Sequence, residues 1–323
     1  MSKLKKLVVF LFILVLALPL AAFGITSSFI GNMHDSNLNT DSLDDLSHAN
    51  KDGIRNILIM GSDARPGDKN SRTDSMMILT IDKLHKDIKI TSLARDTFVD
   101  IPGHGYSKLT HAYAFGKENL LIKTIEKNFG IDINDFVLIN FESFIAIIDA
   151  LGGVTVDVTQ NELNELNKFI PETYSWSTNK DKGPMKLIEH TGEQKLNGYQ
   201  ALSFARIRHN DSAFGRDNRQ RMIVMSIMKE MKNTSKLKYP FIMKAAAPYI
   251  KTNMTTFEMI KCALSIMMIG PDHIKQMEFP IVSPPGYSTG GIYGRYGWVL
   301  RFEDSTVQDL KNFIFNDVQF TGR

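Results

Sequence analysis

The sequence predicts an α/β fold in which a mixed central β-sheet has helices packed on both sides, an α-β-α sandwich, preceded by an N-terminal transmembrane helix. Short apolar segments bounded by turn residues, which are typical of buried strands, alternate with segments of helical periodicity. The 323-residue chain is 43% hydrophobic, which is ordinary for a folded domain. A long uncharged apolar run stands at its start.

The apolar run extends from Leu7 to Met33. A spanning helix needs about 20 apolar residues, whereas the apolar part of a secretory signal has about 7–15, so this run is long enough to remain as an anchor. Lysines precede it and aspartates follow it, which predicts a cytoplasmic N-terminus and an extracytoplasmic remainder. A cleaved signal peptide is the alternative, because small residues occur at Ala21, Ala22 and Gly24.

Composition divides the chain into three predicted segments. Residues 1–33 form the cytoplasmic tip and anchor, 34–52 a polar tether, and 53–323 an extracytoplasmic domain. The net charge of +3 arises from 38 basic and 35 acidic residues, a balance that does not indicate a nucleic-acid partner. A single cysteine, Cys262, provides no disulfide framework, and the eight histidines lack the spacing of a zinc site.

The domain begins with three predicted strands at 55–61, 75–82 and 88–94. The tight connection KLHKD joins the second strand to the third, which predicts antiparallel pairing. In such a meander the end of the first strand, the start of the second and the end of the third lie at the same end of the sheet.

The later elements are predicted in order. A helix at 117–129 is followed by a strand at 136–141, a helix at 142–151 and a strand at 153–158. The polar stretch at 160–195 predicts an exposed loop or insertion. Helices are then predicted at 197–203, 216–232 and 255–269, and a strand at 275–282.

Charged residues flank the predicted common end of the three strands: Asp63, Arg65, Arg72, Asp74, Arg95 and Asp96. Carboxylates bind hard divalent cations, and arginine forks bind phosphate oxygens in pairs. The combination therefore suits a metal diphosphate. Salt bridges between loop ends are the alternative.

A second basic cluster lies in FARIRHNDSAFGRDNRQRM. Arg206 and Arg208 alternate as on a strand, so they are predicted to share a face. Arg216, Arg219 and Gln220 have i, i+3, i+4 spacing and are predicted to share a helix face. Arginines in a first helical turn oppose the helix dipole, which indicates an anionic ligand, with a solvated basic face as the alternative. The apolar continuation MIVMSIMKEM suits core packing, or a slot for a prenyl chain.

These motifs resemble the LytR-CpsA-Psr family, whose members attach teichoic acids and capsules to peptidoglycan. The resemblance runs, in family order, through NILIMGSDAR, SRTDSMMILT, SLARDTFVDIPG, KLTHAYAFG, DALGGVTVDV, LNGYQALSFARIR and GRDNRQ. It covers nearly all of the predicted extracytoplasmic part up to about residue 235. It implies a mixed sheet wrapped by helices around an apolar pocket for a polyprenyl tail.

The resemblance also implies the site residues. Asp63 and Asp74 would bind Mg²⁺ or Mn²⁺. The donor diphosphate would be surrounded by Arg72, Arg95, Arg206, Arg208, Arg219 and Gln220. We add Lys108, from the motif KLTHAYAFG, and Arg216 to this substrate-binding set, and expect Asp74, Arg95, Arg206 and Arg208 to be the catalytic residues.

The sequence departs from the family pattern at two positions. Ala94 stands where the family usually has a proline before the arginine of the third strand. Ala213 stands where an acidic residue generally precedes the glutamine by seven positions, and whether the neighbouring Asp211 replaces that carboxylate is left open.

The implied function is that of a phosphotransferase that moves a phosphate-linked glycopolymer from a polyprenyl-diphosphate carrier to a peptidoglycan hydroxyl at a Gram-positive surface. Asp74 or Asp96 would receive the hydroxyl proton, because arginine is too basic to do so. A lipid-diphosphate hydrolase and a non-catalytic lipid-diphosphate-binding regulator are the alternatives. The expected partners are the lipid-linked glycopolymer, peptidoglycan and the membrane, with no nucleic acid.

Overall fold

The computed structural model describes residues 52–62, 73–177, 179–180, 182–207, 250–270, 273–281 and 288–319, with scattered single positions between 219 and 247. The described residues form two compact units: a helical unit within residues 140–250, and a sheet unit of residues 52–139 and those from 251 on. The predicted anchor and nearly all of the predicted tether lie outside the described residues. Within the described residues, no helix combines the length and hydropathy that membrane crossing requires.

Twelve strands are described. They are β1 (Ile54–Ser62), β2 (Thr73–Asp82), β3 (Asp87–Leu93), β4 (Phe98–Ile101), β5 (Gly105–Lys108), β6 (Asp135–Ile139), β7 (Val154–Val158), β8 (Gly192–Leu196), β9 (Ile250–Thr252), β10 (Ile274–Phe279), β11 (Ser288–Ile292) and β12 (Trp298–Phe302). The described helices are α1 (Leu109–Phe129), α2 (Phe141–Leu151), α3 (Gln160–Trp176), α4 (Gly198–Arg206), α5 (Thr256–Ile269) and α6 (Asp304–Asn316).

A six-stranded sheet in the order β10-β3-β2-β1-β6-β9 forms the centre of the sheet unit. β2 pairs antiparallel with both β1 and β3, whereas β6 runs parallel to β1 and β10 runs parallel to β3. The predicted mixed central sheet is therefore confirmed, as is the antiparallel meander of its first three strands. Two hairpins, β4–β5 and β11–β12, stand outside this sheet.

Alternate side chains of the sheet enter different cores. Leu58 and Met60 of β1 belong to a buried cluster with residues of α1 and α6. The intervening Ile57 and Ile59 point to the other face, on which Arg55 of the same strand contacts Glu258 of α5. This period-two alternation is what a strand buried on both faces requires.

The helical unit is built from segments whose starts are well capped. α2, α3 and α4 each begin with a reciprocal capping box, formed by Asn140 and Ser143, Thr159 and Glu162, and Asn197 and Gln200. β7 pairs antiparallel with β8 in a separate two-stranded sheet and does not join the central one. The predicted helix at 216–232 falls mostly on residues outside the description, although Arg219 and Ile223 are helical.

The prediction of a loop over 160–195 was wrong at both ends, and it holds for the described residues between 177 and 191. Residues 160–176 form α3, and residues 192–196 form β8. Helix α3 is amphipathic and buries Leu166 and Ile170, and at its start Glu162 Oε2 accepts a hydrogen bond from the Thr159 N–H at 2.9 Å. The many polar residues of this stretch suggested a loop, although its apolar residues have helical spacing.

Two helix bounds also needed correction. α1 begins at Leu109 rather than 117, and its two parts meet at a kink where Gly116 and Lys117 leave helical geometry. α4 continues to Arg206, so the prediction that Arg206 and Arg208 alternate on a strand was wrong. Phe204 is fully buried on α4, and this apolar contact favours continuing the helix to Arg206. Arg208 lies outside the described residues.

Candidate functional site

The register of the sheet brings three predicted site segments to one edge. Gly61 pairs with Ser75, Ser62 with Thr73, and Met76 with Leu93, so β1 ends, β2 begins and β3 ends at the same end of the sheet. The segment that carries Asp63 and Arg72 lies outside the described residues, but it leaves from Ser62 and returns at Thr73. Its two attachment points are therefore paired residues on adjacent strands.

Thr110, in the first turn of α1, joins two of these segments. Its hydroxyl donates to the Thr73 carbonyl oxygen at 2.8 Å, and its backbone N–H donates to the Arg95 carbonyl oxygen at 3.0 Å. The N–H of Leu109 donates to the Thr97 carbonyl oxygen at 2.9 Å. The start of α1 thus fixes the backbone that carries Arg95 relative to the start of β2.

Asp96 holds two of the predicted donor-binding cations together. Its Oδ1 lies 2.9 Å from Lys108 Nζ, and its Oδ2 lies 3.4 Å from Arg95 Nε. The Arg95 side chain is 45% exposed, whereas Lys108 and Asp96 are mostly covered. Two cations around one carboxylate leave a net positive charge that favours an anion. Asp96 as the proton acceptor stays a prediction, and in this structure both of its oxygens are ion-paired.

Arg206 lies in an aromatic enclosure of the helical unit. Its guanidinium carbon is 4.4 Å from the centre of the Trp176 ring, 5.3 Å from that of Phe169 and 5.9 Å from that of Phe141. Nη1 donates to Glu172 Oε2 at 2.8 Å. Rings and carboxylate together restrict the guanidinium to one orientation, which is what a preorganised phosphate-binding arginine requires.

Arg219 is buried, with only 2% of its side chain exposed. Its Nη2 donates to the Ile207 carbonyl oxygen at 2.8 Å, and its Nη1 donates to Glu162 Oε1 at 3.2 Å. Because Ile207 directly follows Arg206, this contact positions the end of α4. Both of these contacts are to protein atoms, and contact of Arg219 with the donor diphosphate stays a prediction.

Several predicted site residues cannot be placed. Asp74 belongs to β2, but its side chain lies outside the description. Both the backbone and the side chain lie outside the description for Asp63, Arg65, Arg72, Arg208, Asp211, Ala213, Arg216 and Gln220. In the part of the chain that the structure describes, no three or more His, Cys, Asp or Glu side chains are grouped as a metal ion would need. The side chains of Asp63 and Asp74, which were predicted to hold the metal, are not among those described.

Sequence reasoning missed the partners of Arg206. Glu172 and Trp176 are separated by four residues on α3, so their side chains lie on the same helix face. This spacing was visible in the sequence, but it falls in the stretch that was predicted to be a loop. The capping Glu162, which also binds Arg219, was missed for the same reason.

Comparison with known proteins identifies the family. The sequence profile of the LytR_cpsA_psr family matches residues 23–307, most of the chain. The chain belongs to the LytR_cpsA_psr family. This confirms the resemblance found in its motifs. Regulatory protein MsrR of Staphylococcus aureus (strain COL) is 32% identical to this LytR_cpsA_psr protein over 234 residues, which are 71% of this chain and 65% of MsrR. The chain thus spans slightly less than two thirds of the length of that relative.

Another family relative carries an enzymatic name. A protein of Bacillus cereus (strain AH820), polyisoprenyl-teichoic acid–peptidoglycan teichoic acid transferase TagU, is 32% identical over 270 residues, covering 82% of this chain and 79% of TagU. A structure of TagT, a protein of B. subtilis, with bound octaprenyl pyrophosphate lipid is 24% identical, with a TM-score of 0.53, and the match covers 82% of this chain and 90% of that one. At this identity the likeness shows the fold alone.

Proposed function

We propose that this LytR_cpsA_psr protein is a phosphotransferase that moves a phosphate-linked glycopolymer, such as a teichoic acid or capsule, from a polyprenyl-diphosphate carrier to a hydroxyl of peptidoglycan. Membership of the family, the transferase name of the TagU relative and the lipid diphosphate bound to TagT support this proposal. The proposed partners are the lipid-linked glycopolymer, peptidoglycan and the membrane.

One observation carries the proposal for this chain. The end of β1, the start of β2 and the end of β3 converge, and Arg95 and Lys108 stand there as a cation pair around Asp96. Charge stabilisation by fixed cations is the main contribution that a protein makes to phosphoryl transfer. A convergent, partly exposed cation pair is therefore the arrangement that this chemistry requires.

The proposed reaction forms one phosphorus–oxygen bond and breaks another. The acceptor hydroxyl oxygen bonds to the phosphorus that carries the glycan, and the prenyl monophosphate leaves with the bridging oxygen. The hydroxyl proton passes to Asp74 or Asp96. Arg95, Arg206 and the other predicted arginines stabilise the charge on the phosphate oxygens. No covalent intermediate with the protein is required.

We also propose that Asp63 and Asp74 hold a Mg²⁺ or Mn²⁺ ion. Carboxylate oxygens are ligands that these hard cations prefer, and the ion would neutralise part of the diphosphate charge. Without the ion, the predicted arginines and Lys108 alone would neutralise the negative charge of the diphosphate.

We propose that residues 1–33 anchor the protein in the membrane with its N-terminus in the cytoplasm and its catalytic part outside. The uncharged run after the N-terminal lysines supports this orientation. A reporter enzyme that works only on the outer side of the membrane should be active when it is fused after Asn50. Activity of a reporter that works only in the cytoplasm would contradict the orientation.

The deciding experiment measures turnover of a lipid-linked donor by the full-length chain, with and without a glycan acceptor. Transfer predicts that prenyl monophosphate release depends on the acceptor and that the glycopolymer becomes bound to it. Acceptor-independent release would instead indicate a lipid-diphosphate hydrolase. Donor binding without turnover would indicate a regulator, the alternative that Ala213 and the name of MsrR favour.

A further inference from the structure

One side of helix α5 packs into the sheet unit. Its buried side chains recur at three- and four-residue spacing, at Met259, Cys262 and Ile266. Burial raises the pKa of the Cys262 thiol to about 11, and the nearby cations of Arg55 and Lys83 oppose part of that rise. This inner side of α5 is therefore dry, and it lies close to the turn between β2 and β3 that begins with Lys83.

The opposite side of α5 exposes large apolar side chains. Phe257, Leu264 and Met268 are 63%, 38% and 78% exposed. Because an α-helix turns about 100° per residue, these three side chains lie within roughly 40° of one another. A helix on a protein surface normally carries polar residues there, and apolar groups that are exposed together mark a binding surface. We define the exposed stripe as Phe257, Leu264 and Met268.

A cation lies within the exposed stripe. Lys261 follows Phe257 by four residues and precedes Leu264 by three, and its Nζ lies 4.3 Å from the centre of the Phe257 ring. A lysine in such a place lays its methylene groups along apolar surface and keeps its ammonium group at the edge. Large apolar residues with a lysine beside them are typical of helices that lie in the interface between water and anionic lipid.

The segment that joins this unit to the proposed anchor ends close to α5. The carbonyl oxygen of Gly53 accepts a hydrogen bond from the N–H of Lys83 at 2.9 Å, and Lys83 lies near the inner side of α5. Residues 34–52 separate Gly53 from the apolar run that ends at Met33. Even fully extended, they would span at most about 65 Å. An anchored chain therefore keeps α5 near the membrane, at a high local concentration.

We propose that the exposed stripe of α5 binds the surface of a bilayer that contains anionic phospholipids, with the helix axis lying along that surface. The stripe enters the apolar region beneath the headgroups, and Lys261 pairs with lipid phosphates. With 14 residues, α5 is shorter than the about 20 that a spanning helix needs, so it lies on the membrane and does not cross it. The inference rests on the proposed anchor and goes beyond the proposed reaction.

The size and the placement of the stripe favour lipid over a second copy of this chain. A stable interface between proteins buries roughly 1,200–2,000 Å² in total, more than three side chains of one helix supply. Helix α5 packs on the sheet face to which Ile57 and Ile59 point, since Arg55 of that face contacts Glu258. Binding through the outer side of α5 thus lays the strands along the membrane. The sheet edge that carries Arg95 and Lys108 then stays near the lipid that holds the donor.

The test places an NBD fluorophore on the exposed stripe. The full-length chain with Cys262→Ala and Met268→Cys is labelled and reconstituted in vesicles of phosphatidylcholine and phosphatidylglycerol. We expect lipids with a doxyl group on the acyl chain to quench the fluorophore. Adding Phe257→Gln or Leu264→Gln should each lower the ratio of bound to unbound stripe roughly tenfold, because one apolar side chain loses its partial burial in lipid. Leu264→Cys provides a second labelling position.

Gln308→Cys in the Cys262→Ala protein is the matched control. Gln308 is exposed on α6, and α6 packs on the other face of the sheet, against Leu58 and Met60. Doxyl lipids should leave this fluorophore unquenched. Lys261→Gln should lower binding of the stripe about fivefold in vesicles with phosphatidylglycerol, and little in pure phosphatidylcholine. Melting temperatures identify any variant that fails to fold.

The outcomes separate the possible occupants. Fluorophores at Met268 and Leu264 that stay unquenched in folded protein on the vesicles would overturn the inference. Emission at short wavelength without doxyl quenching would assign the stripe to a second copy or another protein, and would also overturn it. A chain that does not float with the vesicles would refute the anchor and this inference together. Quenching at Met268 in a chain that turns over no donor would refute the proposed transferase and support the binding of the stripe to lipid.

Discussion

Replacement of Arg206 separates a phosphate-binding role from a structural one. A guanidinium carries five N–H donors, so Arg206 can keep its bond to Glu172 and still bind phosphate oxygens. A charge-assisted hydrogen bond is worth about 1.5–3 kcal/mol. We therefore expect Arg206→Ala to raise the dissociation constant for a prenyl diphosphate roughly 10- to 150-fold.

The same substitution should also cost stability. A cation–π contact contributes about 0.5–2 kcal/mol, and a partly exposed ion pair contributes about 0.2–1 kcal/mol. Arg206→Ala should thus lower the free energy of unfolding by about 0.7–3 kcal/mol. Arg206→Lys keeps the charge but loses the planar stacking on Trp176, so both effects should be intermediate.

Equilibrium titration with prenyl diphosphate and thermal unfolding should be measured on the same full-length preparations. Arg55→Ala is the matched control, because Arg55 also pairs with carboxylates, those of Asp135 and Glu258, but lies outside the candidate site. It should lower stability without changing donor affinity. The reasoning is refuted if Arg206→Ala lowers the melting temperature but binds the donor as tightly as the unchanged protein.

Three further predictions concern stability and catalysis. Lys89→Met should lower the free energy of unfolding, measured by denaturant titration, by about 3–5 kcal/mol, because it leaves Asp82 buried without its lysine partner. Adding Asp82→Asn to Lys89→Met should recover part of the lost stability, because it removes the buried charge. Burial raises the pKa of Glu126 from 4.5 to about 7, so between these pH values the folded protein binds more protons than the unfolded chain. The free energy of unfolding should therefore fall as the pH rises from 4.5 to about 7, and Glu126→Gln should make it less dependent on pH. If Asp211 replaces the carboxylate missing at Ala213, Asp211→Ala should strongly reduce donor turnover, and adding Ala213→Asp should restore part of that turnover. Full turnover by an Asp211→Ala protein of lower stability would instead indicate that Asp211 only caps a turn or helix.

The central sheet could be predicted because its strands follow local rules. β1, β2 and β3 are apolar, short and separated by turns, so both their positions and their antiparallel order followed from the sequence. That order then predicted where Arg95 would lie relative to the start of β2. The parallel pairing of β10 with β3 joins residues far apart in the chain, and local patterns contain no information about it.

Some parts of the site were missed because they depend on tertiary contacts. Others were missed because the local sequence fits two structures, such as a strand and a helix. The alternation of Arg206 and Arg208 suggests a strand locally, but the capped, buried helix α4 extends to Arg206. The Trp176 and Glu172 contacts required recognising α3 in a polar stretch whose capping box was readable. The β11–β12 hairpin has four glycines among its aromatic residues, a composition that resembles a loop until the pairing is known.

The buried Lys89 has a consequence for the order of folding. Its ammonium group donates to Asp82 at 2.5 Å and to the carbonyl oxygen of Ile314 at 3.0 Å, although Ile314 follows it by 225 residues. During synthesis, a chain that already contains β2 and β3 must wait for α6 before Lys89 makes all of these hydrogen bonds. Contacts of such separation slow folding, because most of the chain must be ordered before they form. A polypeptide synthesised from its N-terminus would therefore complete this unit only after nearly the whole chain has been made.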